Sequence, residues 1–270
     1  MSQDLRVIYN GADITKAVVD FRAGTQTFHY NVGEYLYIGS VMPFNNLFFE
    51  AQPHNNNAAV ASVDMWFGQQ WTPAVDLRDG TNGMANTGRL SWATDRLKGW
   101  DREETSEDVT GLSAFKVYWK YWARLSWSAN FSNGTTLKYI GQKFSEDSVL
   151  YTYYPDLNNT DILTGFAAGK ANWNDQHYMA AERIIADLKK GDIVISSSQI
   201  MDWTQYEEAS CHKVAEIVYK AFGQPYSDQL KRARDDYTAA MNVKYPLIDV
   251  TGNGSPDPIE RCLSTNFMTR

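Results

Sequence analysis

The sequence predicts an α+β protein: an N-terminal antiparallel β-sandwich, then a small helical bundle and an extended C-terminal tail. Three observations predict it. Short aromatic and β-branched runs cut by Gly, Asn, Asp and Pro fill the chain before residue 160. After Asn158-Asn159-Thr160 the apolar period changes from two to 3.6. Beyond Tyr245-Pro246, which breaks any helix, the chain is rich in turn formers. The expected divisions are 1–157 for the sandwich, 158–244 for the bundle and 245–270 for a C-terminal arm.

The longest strand signal is VYWKYWARLSWSANF, where Val117, Trp119, Tyr121, Ala123, Leu125, Trp127, Ala129 and Phe131 take every odd place. Lys120, Arg124, Ser126, Ser128 and Asn130 alternate with them, so one face is expected to be buried. Trp122 is the aromatic outlier on the polar face. It reads as an exposed ring that anchors a neighbouring subunit, since aromatics dominate protein interfaces. The runs EYLYIGS, NNLFFE, AAVASVDMWFG, TLKYIGQKF and SVLYTYY read as further strands, and Ser132-Asn133-Gly134-Thr135 as a hairpin turn.

The helical part begins with a helix over 174–190, with His177, Ala181, Ile184, Ile185 and Leu188 on one face and Gly191 as the stop. A second opens with Asp202 and Gln205 spaced as a capping pair and buries Tyr206, Ser210, Val214, Ile217 and Ala221 before Gly223 and Pro225. A third, capped by Ser227, buries Leu230, Ala233, Tyr237 and Met241. Three helices joined by short turns make a small bundle.

Composition narrows the function classes. The chain has 270 residues, 43% of them hydrophobic and 21% charged, which is globular. A net charge of -7 and a pI near 5.1 argue against wrapping nucleic acid by phosphate neutralisation. The N-terminal MSQDLRVIYNG carries no basic-then-apolar signal and no apolar run reaches transmembrane length, so no membrane partner is expected. Cys211 and Cys262 are too few for a disulfide framework or a zinc site and read as free thiols.

DVTGNGSPDPIE resembles a twelve-residue calcium loop. Asp249, Thr251, Asn253, Asp257 and Glu260 take the first, third, fifth, ninth and twelfth places, with the Ser255 carbonyl seventh and Gly254 at the sharp turn. Ca2+ is the expected ligand of these six residues; the competing reading is a metal-free turn. No second loop of the kind occurs, which excludes a paired calcium sensor.

No catalytic signature accompanies it. Asp101, Glu103, Glu104, Glu107 and Asp108 near Trp92 and Trp100 read as a solvated acidic loop rather than a glycosidase pair. Cys211 and His212 are neighbours on a helix, point about 100° apart and cannot form a dyad with each other. A glycine-rich phosphate loop, G-x-S-x-G and H-E-x-x-H are all missing. The expectation is a protein that is not an enzyme.

AAERIIADLKKGDIV, WTQYEEASCHKVAEIVYKAFGQ and YSDQLKRARDDYTAAMNVKY resemble the helical core of head-to-tail connector (adaptor) proteins of tailed bacteriophages. The stretches WFGQQWTPAVDLRDGT, GRLSW and YWARLSWSA resemble β-sandwich domains of phage neck, collar and tail proteins, although small all-helical adaptors lack such a domain. The resemblance implies a structural virion protein that is assembled in the host cytoplasm. It would self-associate into a ring, of about twelve copies by the resemblance, between the portal protein and the next tail or neck component. Genome DNA would pass through the channel without sequence-specific binding. The alternative is a carbohydrate-binding β-sandwich module of an adhesion, tail-fibre or collar protein.

Overall fold

A computed structural model describes residues 4–93, 100–103, 109, 119–243 and 246–254. The fold is α+β, with antiparallel sheets in the N-terminal part and helices in the C-terminal part. The chain divides into two compact units. The first holds the chain to Gly141, the segment Ser196–Met201 and the loop that begins at Asp249; the second holds Gln142–Ile195 and Asp202–Ile248. The change of unit therefore falls at 141/142 rather than at 157.

In the first unit the strands are β1 (Leu5–Tyr9), β2 (Ala12–Asp13), β3 (Gln26–Thr27), β4 (Leu36–Ser40), β5 (Asn46–Ala51) and β6 (Ala61–Phe67). They continue as β7 (Gln70–Pro73), β8 (Val75–Asp79), β9 (Gly88–Ala93), β10 (Tyr121–Trp127) and β11 (Thr136–Gly141), with a short helix α1 (Thr15–Val19) after β2. Two sheets result, ordered β2-β1-β4-β10-β6-β7 and β3-β11-β5-β9-β8. Alternation decides which side chains face inward: Leu36 and Ile38 of β4, Val63 and Met65 of β6, and Ala123, Leu125 and Trp127 of β10 join Leu47, Phe49, Leu137 and Ile140 in one core. Phe28, Tyr30, Trp127 and Phe131 close it with tilted and edge-to-face ring contacts of 5.0–6.3 Å between centroids.

The Ser132–Thr135 turn forms, with Gly134 at φ +92° and Thr135 N–H donating to the Ser132 carbonyl. It does not close a hairpin, because β10 and β11 lie in different sheets. Phe131 is buried in the core just before the turn, so its ring anchors the crossing from one sheet to the other.

The second unit contains α2 (Asp147–Tyr153), α3 (Thr160–Phe166), α4 (Asn174–Lys190), α5 (Glu207–Phe222) and α6 (Ser227–Ala240). SVLYTYY is helical, not a strand. Leu150 and Tyr154 are buried against the bundle while Thr152 between them is exposed, which is helical rather than alternating spacing. Trp173 is buried at the start of α4 and donates its indole N–H to the Leu157 carbonyl at 2.9 Å. Helix α5 buries Ser210 and Val214, and Tyr206 just before it, as its sequence suggests, but the buried face widens to Ala215, Val218 and Tyr219 while Ala221 is exposed. Ser227 makes no capping bond. No helix is long and apolar enough to cross a membrane among the described residues.

Candidate functional site

Asp249 and the loop after it belong to the strand-rich unit. The Asp249 carboxylate is 0% exposed; Oδ1 accepts the N–H of Gly252 at 2.8 Å and of Asn253 at 3.1 Å, and Oδ2 accepts that of Gly254 at 2.8 Å. Gly252 and Gly254 have φ of +74° and +84°, a left-handed backbone that glycine takes at little cost and that turns successive N–H groups inward. Asp249 also pairs by its backbone with Gln199, donating its N–H to the Gln199 carbonyl at 2.9 Å and accepting Gln199 Nε2–H on its own carbonyl at 2.7 Å. The loop thus closes on backbone donors without needing a cation. Thr251 and Asn253 are exposed. Ser255, Asp257 and Glu260, which would complete the calcium shell, lie outside the described residues, as do the rest of the arm and Cys262.

Trp122 is not the exposed ring that its place on the polar face suggested. It is 0% exposed, packs with Ile8 and Val109 and donates its indole N–H to Glu103 Oε2 at 2.7 Å. Glu103, itself buried, accepts the Val109 N–H on Oε1 at 3.2 Å. The ring lies flat over Gly39, where an added Cβ would come within 2.8 Å of it. Trp119, expected in the core, is the exposed one at 63%. Its φ of +69° breaks the alternation before β10 begins and turns Trp119 out, whereas Trp122 keeps its outward place and is buried by the residues that cover it. Of the acidic cluster, Asp101 accepts the Gly68 N–H; Glu104, Glu107 and Asp108 lie outside the described residues.

The face of the six-stranded sheet away from the core carries a row in strand register: Ile8, Tyr37, Arg124, Asp64 and Pro73 stand opposite one another across β1, β4, β10, β6 and β7. Arg124 Nε donates to Asp64 Oδ2 at 2.8 Å. Its guanidinium lies 4.2 Å from the Tyr35 ring centre and 4.8 Å from that of Trp71. Trp71 also meets Trp66, edge to face at 5.3 Å, and Tyr37 at 5.9 Å. Sequence reading missed this group because its members come from four strands; the signal available was the set of aromatic and charged residues at the outward places.

In the helical unit, Ser145 Oγ lies 2.7 Å from His177 Nδ1 and 2.7 Å from Ser210 Oγ, and His177 Nε2 lies 3.0 Å from Asp147 Oδ1. Serine, histidine and aspartate in one hydrogen-bonded chain are the residue types of a nucleophile triad, but Ser145 and His177 are buried and the network packs helices. Burial pushes His177 below the ordinary histidine value against the pull of Asp147. Burial alone would raise Asp147, yet the hydrogen bonds from His177 and the Trp173 N–H hold it below the usual carboxylate range. The Cys211 thiol is buried and pushed up to about 12, mainly by desolvation, and is unreactive as a nucleophile. The adjacent His212 points elsewhere, with Nδ1 2.9 Å from the Tyr154 hydroxyl. A cavity of about 420 Å³ opens beside it, lined by Tyr153, Tyr154, Glu208, Arg232 and Asp236 among others.

Among the described residues no group of three or more His, Cys, Asp or Glu side chains could hold a metal ion. No family model matches the sequence and no curated protein matches it. A solved structure, CpGH89CBM32-6 produced by Clostridium perfringens, is similar over 52% of this chain and 94% of its own, with 11% identity and a TM-score of 0.29, a likeness too slight to bear on fold or function.

Proposed function

We propose that the chain is a structural, non-enzymatic virion protein of a tailed phage. Copies would form a connector ring in the neck, between the portal protein and the next tail component. The observation that supports it most is α6. This helix buries only Ala233 and Tyr237 and leaves Asp228, Lys231, Arg232, Arg234 and Asp235 exposed, a charged, amphipathic face of the kind partner proteins dock on. The sequence resemblance of α4, α5 and α6 to adaptor helices supplies the partner. Calcium at Asp249, Thr251, Asn253, Ser255, Asp257 and Glu260 belongs to the same proposal: it would fix the start of the C-terminal arm so that the arm reaches a neighbouring copy or the portal.

Electron microscopy of the full chain, alone and with the portal protein of the same virion, tests the reading. Rings that stack on the portal are expected, together with loss of stacking in a Lys231→Glu, Arg234→Glu variant. A monomer that ignores the portal overturns it. The carbohydrate-binding alternative is favoured by a separate observation, the ring-flanked Arg124–Asp64 pair.

A further inference from the structure

We propose that the outward face of the six-stranded sheet binds a neutral hexose oligosaccharide at Trp71, Arg124, Asp64 and Tyr35. This goes beyond the connector reading and does not depend on it.

The argument starts from hydrogen-bonding capacity. Arg124 has five N–H donors, and its one protein acceptor is Asp64 Oδ2, at 2.8 Å from Nε. Its two terminal amino groups and the second Asp64 oxygen have no protein partner among the described residues, and the same is true of the Trp71 indole N–H. The Arg124 and Asp64 side chains keep 22% and 20% of their surface open to solvent. Tyr35 and Trp71 flank the guanidinium at 4.2 and 4.8 Å, so the fork is held in orientation rather than swinging free. Donors and an acceptor are therefore preorganised within one small area, which lowers the ordering cost of binding.

Sugar hydroxyls suit this set because each both donates and accepts. A vicinal pair can take two N–H groups from Arg124 and give a proton to Asp64, while the C–H face of the pyranose lies on the half-buried Trp71 and Tyr35 rings. Charge selects the class of sugar. Arg124 is already neutralised by Asp64, so an acidic glycan gains no net attraction and meets the carboxylate, whereas a neutral one loses nothing. Position helps as well: Trp71 sits on β7, the last strand of the sheet, where a chain of sugar units can extend past the edge.

The test uses the full chain and four probes, the tetraoses of the cello, malto, manno and galacto series, with oligogalacturonate as the acidic control. Binding is read by saturation-transfer NMR and titration calorimetry. At least one neutral tetraose should bind, with Trp71→Leu, which keeps apolar bulk at the strand edge, and Arg124→Gln each weakening it about tenfold, in line with the worth of a stacked ring or a charge-assisted bond. Tyr35→Phe should bind as the unaltered protein does, because it keeps the ring. Absence of binding by all four, unchanged affinity in Trp71→Leu, or preference for oligogalacturonate overturns the proposal. So does a change in oligomeric state in these variants in place of a change in sugar affinity, which would make the face a protein contact. Portal binding, measured on the same proteins, reports separately on the connector reading.

Discussion

Tyr30 and Trp127 hold each other by a reciprocal pair of hydrogen bonds. The Tyr30 hydroxyl donates to the Trp127 carbonyl at 2.9 Å and accepts the Trp127 N–H at 2.8 Å, across 97 positions of sequence. One phenol thus satisfies both backbone groups at the end of β10, inside the aromatic cluster. Tyr30→Phe keeps the ring and removes both bonds, leaving a buried N–H and C=O without partners. Urea unfolding should show a loss of about 1–3 kcal/mol, the desolvation cost of such orphaned groups. An unchanged midpoint would mean that water reaches the strand end.

Trp122→Ala is expected to unfold or loosen the strand-rich unit rather than to weaken a subunit contact selectively. Removing a fully buried indole costs about 3–5 kcal/mol and strips the Glu103 carboxylate of the bond at 2.7 Å. Gly39→Ala attacks the same packing from below. Thermal unfolding and near-UV circular dichroism measure both; a Trp122→Ala protein of ordinary stability that fails only to assemble would refute the packing role.

Acid should destabilise the helical unit in two successive windows. Because burial lowers His177 from its ordinary 6.5, only the unfolded chain takes up this proton as the pH falls below that value, and stability declines. Asp147 is held below its ordinary 3.8, so its contribution is intact above that pH and disappears as the pH falls through the folded value. In His177→Gln the first window should flatten while the second persists. Chemical denaturation at pH 7.5, 6.0, 5.0 and 3.0 checks the order, and equal slopes for both proteins between 6.5 and 5 would exclude His177 as the source.

Calcium and the Asp249 turn make separable predictions. The three N–H bonds to Asp249 operate with chelator present, so Asp249→Ala should destabilise the loop by roughly 3 kcal/mol with or without metal, since bonds to a charged acceptor are among the stronger ones. Glu260→Ala should leave the turn intact and abolish only what calcium adds. Limited proteolysis of 245–270 reads both, and identical cleavage with calcium and with chelator in the unaltered protein would sink the metal site.

Helix α4 was legible because a single amphipathic face and a closing Gly191 act within the segment itself, and Asn174–Lys190 emerges with the bounds its period suggests. Four of the five short strand runs were legible for the same reason. The exceptions depend on partners distant in sequence. SVLYTYY has the composition of a strand, but Leu150 and Tyr154 find a bundle to pack on. The Asn-Gly turn has hairpin chemistry, but Phe131 is claimed by the core. Alternation placed Trp119 inside and Trp122 outside; a left-handed backbone turns Trp119 out, and Ile8, Val109 and Glu103 cover Trp122 on the outward face. At the candidate sites, the turn-forming character of 249–254 could be read directly, whereas the Tyr35–Arg124–Trp71 stack exists only once four strands are in register.

The return of Ser196–Met201 and of Asp249 to the strand-rich unit makes the helices an insertion flanked by two sewn seams. Asn45 and Asn46 donate to the Met201 and Ile200 carbonyls, Ser40 meets Ser198 at 2.5 Å, and Gln199 clasps Asp249. Tension applied to the chain beyond Gly254 would therefore be borne first by the Gln199–Asp249 stitch and the sheets behind it, and the bundle would be shielded from the load. If the proposed connector role holds, an arm that starts from this stitch would be pulled without unwinding the helices.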